Sequence, residues 1–308
     1  MFSFSAKISC IIVAGSVKSG CFGIEVFTGE FHGLQLSSLP LEISDSSLVL
    51  HNGTILICGG WKNFQKCLQS DHGQLIEHST LNKERYLHSA ITTPIATFLF
   101  GGHGSKTTYE YLPKDSTIWH MGKNTIPIDF VHGCAIAVKS KQEILLIGSS
   151  SFLEEDRIVS FNINDYTFKE FPSVLNVGRY AHTCAFIPNT NKIMIAGGYK
   201  GSNSVDLSIG IMMDELDSTE ILDTDDGSIT MASPLNFKRG DHGMGVITIN
   251  GEDRLAVFGG RCDDIKLDSI ELYNTRTEKW EIPDFKLKEP KEMISFLTVK
   301  LGDIISKL

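Results

Sequence analysis

Four histidines, His88, His132, His182 and His242, recur at similar places in four neighbourhoods, and arginines and aromatics cluster near them or near glycine doublets. Histidine is both a common metal ligand and a hydrogen-bonding side chain. Here each belongs to a different copy of one repeated segment, which spreads the four around an axis, too far apart to share one ion. A structural hydrogen-bonding role is the expectation. Arginine and aromatic side chains dominate binding hot spots, so they are the stronger candidates for recognition. Trp61, His103, Tyr199 and Arg261 follow the doublets, while Arg85, Tyr86, Phe130, Arg179, Tyr180 and Arg239 precede the histidine-bearing strands. Arg239-Gly240-Asp241 spells the integrin tripeptide, but the repeat already accounts for its arginine. Seven cysteines include no CxxC pair, which argues against a zinc knuckle. Cys58 and Cys67 end one strand and begin the next and could bridge in an oxidising compartment, whereas Cys134 and Cys184 share one repeat position in adjacent units and read as buried thiols. The sequon Asn52-Gly53-Thr54 sits in a turn and matters only in a secreted chain.

The elements that must position these residues are short and repeated. Six strand-like runs of branched and apolar residues end in a small-residue doublet, at 9–16, 54–61, 97–103, 143–150, 192–199 and 254–261. Their first glycines, Gly15, Gly59, Gly101, Gly148, Gly197 and Gly259, follow one another at intervals centred on the blade length of kelch and WD-type repeats, about 40–50 residues. The longest interval contains an insertion at 201–220, whose Ile211, Met212 and Met213 either cover the mouth or greet a partner, or fold into a longer hairpin. An alternating segment precedes each of the last five doublets, at 46–53, 88–93, 132–139, 182–189 and 242–250. Two further short strands follow, clearest at 107–122 and 268–283, where Trp119 and Trp280 fall at matching places. Each unit thus reads as four antiparallel strands, a to d, which must stack on neighbours to bury both faces.

The first copy begins directly at strand b, and 294–302 has the pattern of strand a. Pairing the two would build one blade from both ends of the chain and leave no open edge. On that reading the opening stretch is a strand and not a cleaved signal peptide. Strand direction also places the b–c loops and the d–a connections on one face, so the candidate residues share a surface. Four arginines there suit an acidic ligand; the competing reading is that they belong to the repeat and bridge blades through backbone carbonyls.

With doublet, tyrosine and tryptophan in this order, nearly the whole chain resembles the kelch family of β-propellers. Gly15-Ser16 and Gly148-Ser149 depart from the double glycine, and four of the six copies lack the tryptophan. The resemblance implies an all-β fold: a six-bladed β-propeller of four-stranded antiparallel blades, closed by pairing of N- and C-terminal strands, as a single domain over 1–308. Blade one takes 7–42 plus 294–302, and the others take 46–82, 86–125, 131–174, 181–234 and 241–285. It also implies a non-enzymatic protein-interaction module that captures a protein or short peptide, acidic in character, at the b–c and d–a face. The BTB domain of the family's ubiquitin-ligase adaptors is not expected within these residues.

Composition agrees with a globular chain, 42% hydrophobic and 21% charged, and no apolar run is long enough to span a bilayer. A net charge of −9 argues against nucleic acid or anionic lipid as a whole-surface partner. A monomer without cofactor is expected, with a cytoplasmic location favoured and secretion left open. The alternative is an oxidase-like or sialidase-like propeller enzyme, or a glycan-binding one, with its site at the same mouth. Neither the copper-radical set of tyrosine, cysteine and histidines nor repeated aspartate boxes can be assembled from these residues, and no nucleophile elbow or Walker loop occurs.

Overall fold

The computed structural model describes residues 9–16, 22–28, 31–39, 44–71, 74–151, 153–201 and 214–300. The chain opens with β1 (Ser9–Ser16), β2 (Phe22–Thr28) and β3 (Phe31–Leu39). Next come β4 (Ser47–His51), β5 (Thr54–Cys58), β6 (Lys66–Asp71) and β7 (Gln74–Thr80). Then follow β8 (Ser89–Thr92), β9 (Ala96–Phe100), β10 (Tyr109–Pro113) and β11 (His120–Met121). A further set is β12 (Cys134–Val138), β13 (Glu143–Ile147), β14 (Ile158–Asn162) and β15 (Phe168–Glu170). After it lie β16 (Thr183–Phe186), β17 (Lys192–Ala196), β18 (Tyr199–Lys200), β19 (Asp214–Glu215), β20 (Thr219–Asp223) and β21 (Ile229–Ala232). The last strands are β22 (Gly243–Ile249), β23 (Glu252–Phe258), β24 (Arg261–Cys262), β25 (Ile265–Lys266), β26 (Ile270–Asn274), β27 (Lys279–Glu281) and β28 (Glu292–Lys300).

These strands form antiparallel four-stranded sheets, in the orders β4-β5-β6-β7, β8-β9-β10-β11, β12-β13-β14-β15, β16-β17-β20-β21 and β22-β23-β26-β27, with β28 beside β1 in the order β28-β1-β2-β3. The leading strands meet in succession, β4, β8, β12, β16, β22 and β28, and β28 also meets β4. The chain is an all-β propeller of four-stranded antiparallel sheets. Two-stranded ladders, β18-β19 and β24-β25, form in the connections after the fifth and sixth doublets.

Burial explains the sequence pattern. The second strands β5, β9, β13 and β17 are covered on both faces, so β9 is buried at every residue, while the leading strand β12 alternates buried and half-buried positions. Between the third and fourth sheets lies an aromatic core in which Phe161 packs edge-on against Phe98 at 5.5 Å and Tyr109 at 5.0 Å. Trp119 fills the space between the second and third sheets and donates from Nε1 to Ser79 Oγ at 3.0 Å. Trp280 packs with Tyr273 and Met194 between the fifth and sixth.

The doublets stitch one sheet to the next. Gly59 takes φ 62° and Gly60 φ 96°, and a side chain on Gly59 would meet the Arg85 carbonyl oxygen at 2.6 Å. The amide of the second glycine then donates to the connection ahead of the next sheet: Gly60 to Arg85 O at 3.0 Å, Gly102 to Phe130 O at 2.8 Å and Gly198 to Arg239 O at 2.8 Å. Where Ser149 replaces the second glycine, its buried hydroxyl donates to Asp129 O at 2.6 Å and accepts from the Val131 amide at 3.1 Å.

Cys58 and Cys67, directly opposed on β5 and β6, form a disulfide. Cys134 and Cys184 form a second, which corrects the reading of that pair as buried thiols. Strand register also corrects their shared repeat position, since Cys134 lies opposite Ile147 as Thr183 lies opposite Ala196, one residue before Cys184. The leading strands β12 and β16 are still neighbours across the gap between blades, with the two Cα atoms 6.1 Å apart, inside the usual disulfide range. The stem of the 201–220 insertion is the β18-β19 ladder; residues 202–213, with Ile211, Met212 and Met213, lie outside the described residues.

Candidate functional site at the propeller mouth

Just before each leading strand from β4 to β22 one residue adopts the left-handed conformation: Asp45, Leu87, His132, Ala181 and Asp241, with φ between 50° and 58°. Their backbones join hand to hand. Leu87 donates to Asp45 O (3.0 Å), His132 to Leu87 O (2.8 Å), Ala181 to His132 O (2.8 Å) and Asp241 to Ala181 O (3.0 Å). The result is a hydrogen-bonded belt at one mouth of the propeller, which satisfies amides that would otherwise be orphaned there. Asp, Asn and His tolerate this conformation best, and three of the five belt residues are of those types.

The belt corrects the alignment of the histidines. His88, His182 and His242 each follow a belt residue, whereas His132 is itself in the belt and Gly133 takes the equivalent place. His88 Nε2 and Ser47 Oγ lie 2.8 Å apart, as do His242 Nε2 and Thr183 Oγ1, so these imidazoles tie one blade to the preceding one. Burial, with the neighbouring arginine adding to it, holds both well below the ordinary histidine range, and they are neutral. His132 instead reaches across the mouth, its Nε2 2.9 Å from Asp241 Oδ1.

The aromatic candidates do converge. Trp61 is 46% exposed and stands edge-on to Tyr86 at 5.3 Å and to Phe64 at 5.5 Å, and Tyr86 stacks on His103 at 4.8 Å. On the far side Tyr180 lies 5.6 Å from Tyr199, whose hydroxyl donates to Asp241 Oδ2 at 3.0 Å. Single β-bridges lock the rim, Tyr86 to His103, Tyr180 to Tyr199 and Gly240 to Arg261. Arg261 is half-buried and paired with Asp264.

Arg85, Arg179 and Arg239 do not face the mouth, and their selection as ligand-binding residues is corrected. All three are fully buried and paired with equally buried carboxylates: Arg85 with Glu110 (2.7 Å), Arg179 with Glu220 (2.8 Å) and Arg239 with Glu271 (2.8 Å). Nη1 of each donates to a doublet carbonyl, Gly101 O, Gly197 O or Gly259 O. Each glutamate also accepts from the amide and side chain of an asparagine three residues before the arginine, Asn82, Asn176 or Asn236. Phe130 occupies the arginine position of the fourth sheet and is buried in the core with Phe161, so it too leaves the set of mouth residues.

Sequence reasoning missed the carboxylates. Burial raises the Asp45 carboxyl above its ordinary value, opposed by nearby His132 and by the Ser44 hydroxyl, and reinforced by Asp241 and Glu292. Burial likewise raises Glu155, against the Gly201 amide that donates to it. Tyr180 is pushed up to about 12, first by burial and then by Glu155, Asp241 and Glu215 around it. The signal for Asp45 and Asp241 was their place immediately ahead of a leading strand.

Fold and site together define a β-propeller whose mouth carries an aromatic and acidic rim on a rigid belt, a form compatible with protein interaction. No protein-family model matches the chain, and no curated protein matches its sequence.

Proposed function

We propose that this chain is a kelch-type propeller of six blades, closed by the pairing of β28 with β1, that recognises a peptide segment of a partner protein at the mouth and performs no catalysis. Closure is supported by the antiparallel register between the two strands, from Ser9 opposite Lys300 to Ser16 opposite Glu292, and by the succession of leading strands. The observation that carries the recognition reading is the cluster of Trp61, Phe64, Tyr86 and His103, with Tyr86 and His103 joined by a backbone bridge and the tryptophan left open to solvent. Rigid aromatic anchors of this kind supply contact area at little entropic cost. Peptides selected by phage display against the whole chain are expected to lose about tenfold or more in affinity with Trp61→Ala, measured by fluorescence anisotropy, while thermal unfolding is unchanged. Selected peptides that bind Trp61→Ala and Tyr180→Ala as tightly as the parent chain would refute the reading.

A further inference from the structure

The three arginines that suggested an acidic ligand contribute no net charge to the mouth, because each is neutralised inside its own sheet by Glu110, Glu220 or Glu271. What remains at the rim is of the opposite sign. Asp241 and Glu292 both act on Asp45, and Glu155 and Glu215 lie around Tyr180 on one flank. The cations nearby are largely committed: Lys266 lies 3.1 Å from Glu292, Arg261 pairs with Asp264, and Lys106 with Asp129 at 3.3 Å, while the His132 imidazole lies 2.9 Å from Asp241 Oδ1. Lys200 acts on Glu155 without closing an ion pair among the described residues. His103 is held neutral by burial and by Lys106. The Asp45 carboxylate accepts from the Ser44 hydroxyl at 3.0 Å and has no ion-pair partner among the described residues. It therefore sits half-buried, with Asp241 and Glu292 acting on it against His132, and next to Ser44, whose carbonyl accepts from the Trp61 amide at 2.8 Å, so that an incoming cation would relieve repulsion within reach of the exposed indole.

We propose that the mouth selects a basic side chain, a lysine or arginine on the partner's peptide, seated between the Trp61–Tyr86 aromatics and the carboxylates of Asp45 and Asp241. This rests on the reading of the mouth as a peptide-binding face and fixes the chemistry of what enters it. Electrostatic complementarity of this kind sets partner choice and association rate, and it weakens with salt.

The test uses fluorescein-labelled hexapeptide pools with one position fixed as Arg, Lys or Glu and the others mixed, titrated against the full chain by anisotropy. Arg- and Lys-fixed pools are expected to bind about tenfold tighter than Glu-fixed pools, with a preference that shrinks as salt is raised. Asp45→Asn keeps a residue that tolerates the left-handed conformation, so the fold is retained, and it is expected to erase most of that preference without weakening the Glu pool. Glu-fixed pools that bind as well as Arg-fixed ones, through contacts still sensitive to Trp61→Ala, would overturn the basic-ligand proposal and leave the peptide-binding face standing. Absence of any Trp61-dependent binding would overturn both.

Discussion

Glu220→Val is expected to destabilise the protein by about 3–5 kcal/mol in urea unfolding, and adding Arg179→Phe is expected to recover a substantial part of that loss. Glu220 accepts four hydrogen bonds, from the Asn176 amide (2.7 Å) and side chain (2.8 Å), the Val177 amide (3.1 Å) and Arg179 Nη2 (2.8 Å), with no exposure to solvent. Burial works against the Arg179 charge and Glu220 sustains it. Without the carboxylate, a guanidinium stays enclosed with only carbonyl and hydroxyl partners at Val177, Gly197 and Ser218, and two amides lose their acceptor. The fourth sheet shows how the chain does without the network. Ile126 donates to Thr107 O as Leu81 and Leu175 donate to Gln65 O and Asp156 O, which aligns Pro127 with the asparagine and Phe130 with the arginine. Strand register places Val159, opposite Leu146, where Glu220 lies opposite Ile195. Proline has no amide to satisfy, and neither charge is left without its partner. All three members change together, so Asn176→Pro added to the double variant should restore more. A single Glu220→Val cost under about 1 kcal/mol, or strictly additive losses in the double variant, would contradict this account.

The same network shows where sequence reasoning reached its limit. Strand b with its doublet was legible because it is a continuous apolar run ended by residues that need positive φ, as Gly59 and Gly197 show. The linker arginines were read as mouth residues from their place ahead of the leading strands, but spacing along a linker does not say whether a side chain turns outward or into the sheet. That depends on Glu110, Glu220 and Glu271, which lie on strands 25 to 41 residues further on. A sharper clue was present in Leu-Asn-x-x-Arg, which occurs at 81–85, 175–179 and 235–239. His132 misled for a related reason: it is one residue out of register with the other histidines, and only backbone conformation reveals that it belongs with Leu87 and Ala181, whose types do not advertise a left-handed position.

Replacing Cys134 and Cys184 together by alanine is expected to lower stability by about 4 kcal/mol under oxidising conditions and by far less in dithiothreitol, as read from urea midpoints. The two residues are 50 positions apart, so their link removes more freedom from the unfolded chain than Cys58–Cys67, which closes an interval of 9 and should contribute about 3 kcal/mol. Position adds to length. Cys58–Cys67 joins strands already hydrogen-bonded in one sheet, whereas Cys134–Cys184 joins the leading strands of two sheets that otherwise meet through side chains and the belt. Opening of a propeller by separation of neighbouring blades is the motion such a link opposes, and the double alanine variant should therefore show faster proteolysis between the fourth and fifth sheets. Both bonds require an oxidising environment to form and persist. Thiol titration of protein folded with and without oxidant decides the matter: Cys58, Cys67, Cys134 and Cys184 should be blocked in the first sample and reactive on denaturation in the second. If all four titrate in both, the pairs are no more than adjacent thiols and the stability difference should vanish with them.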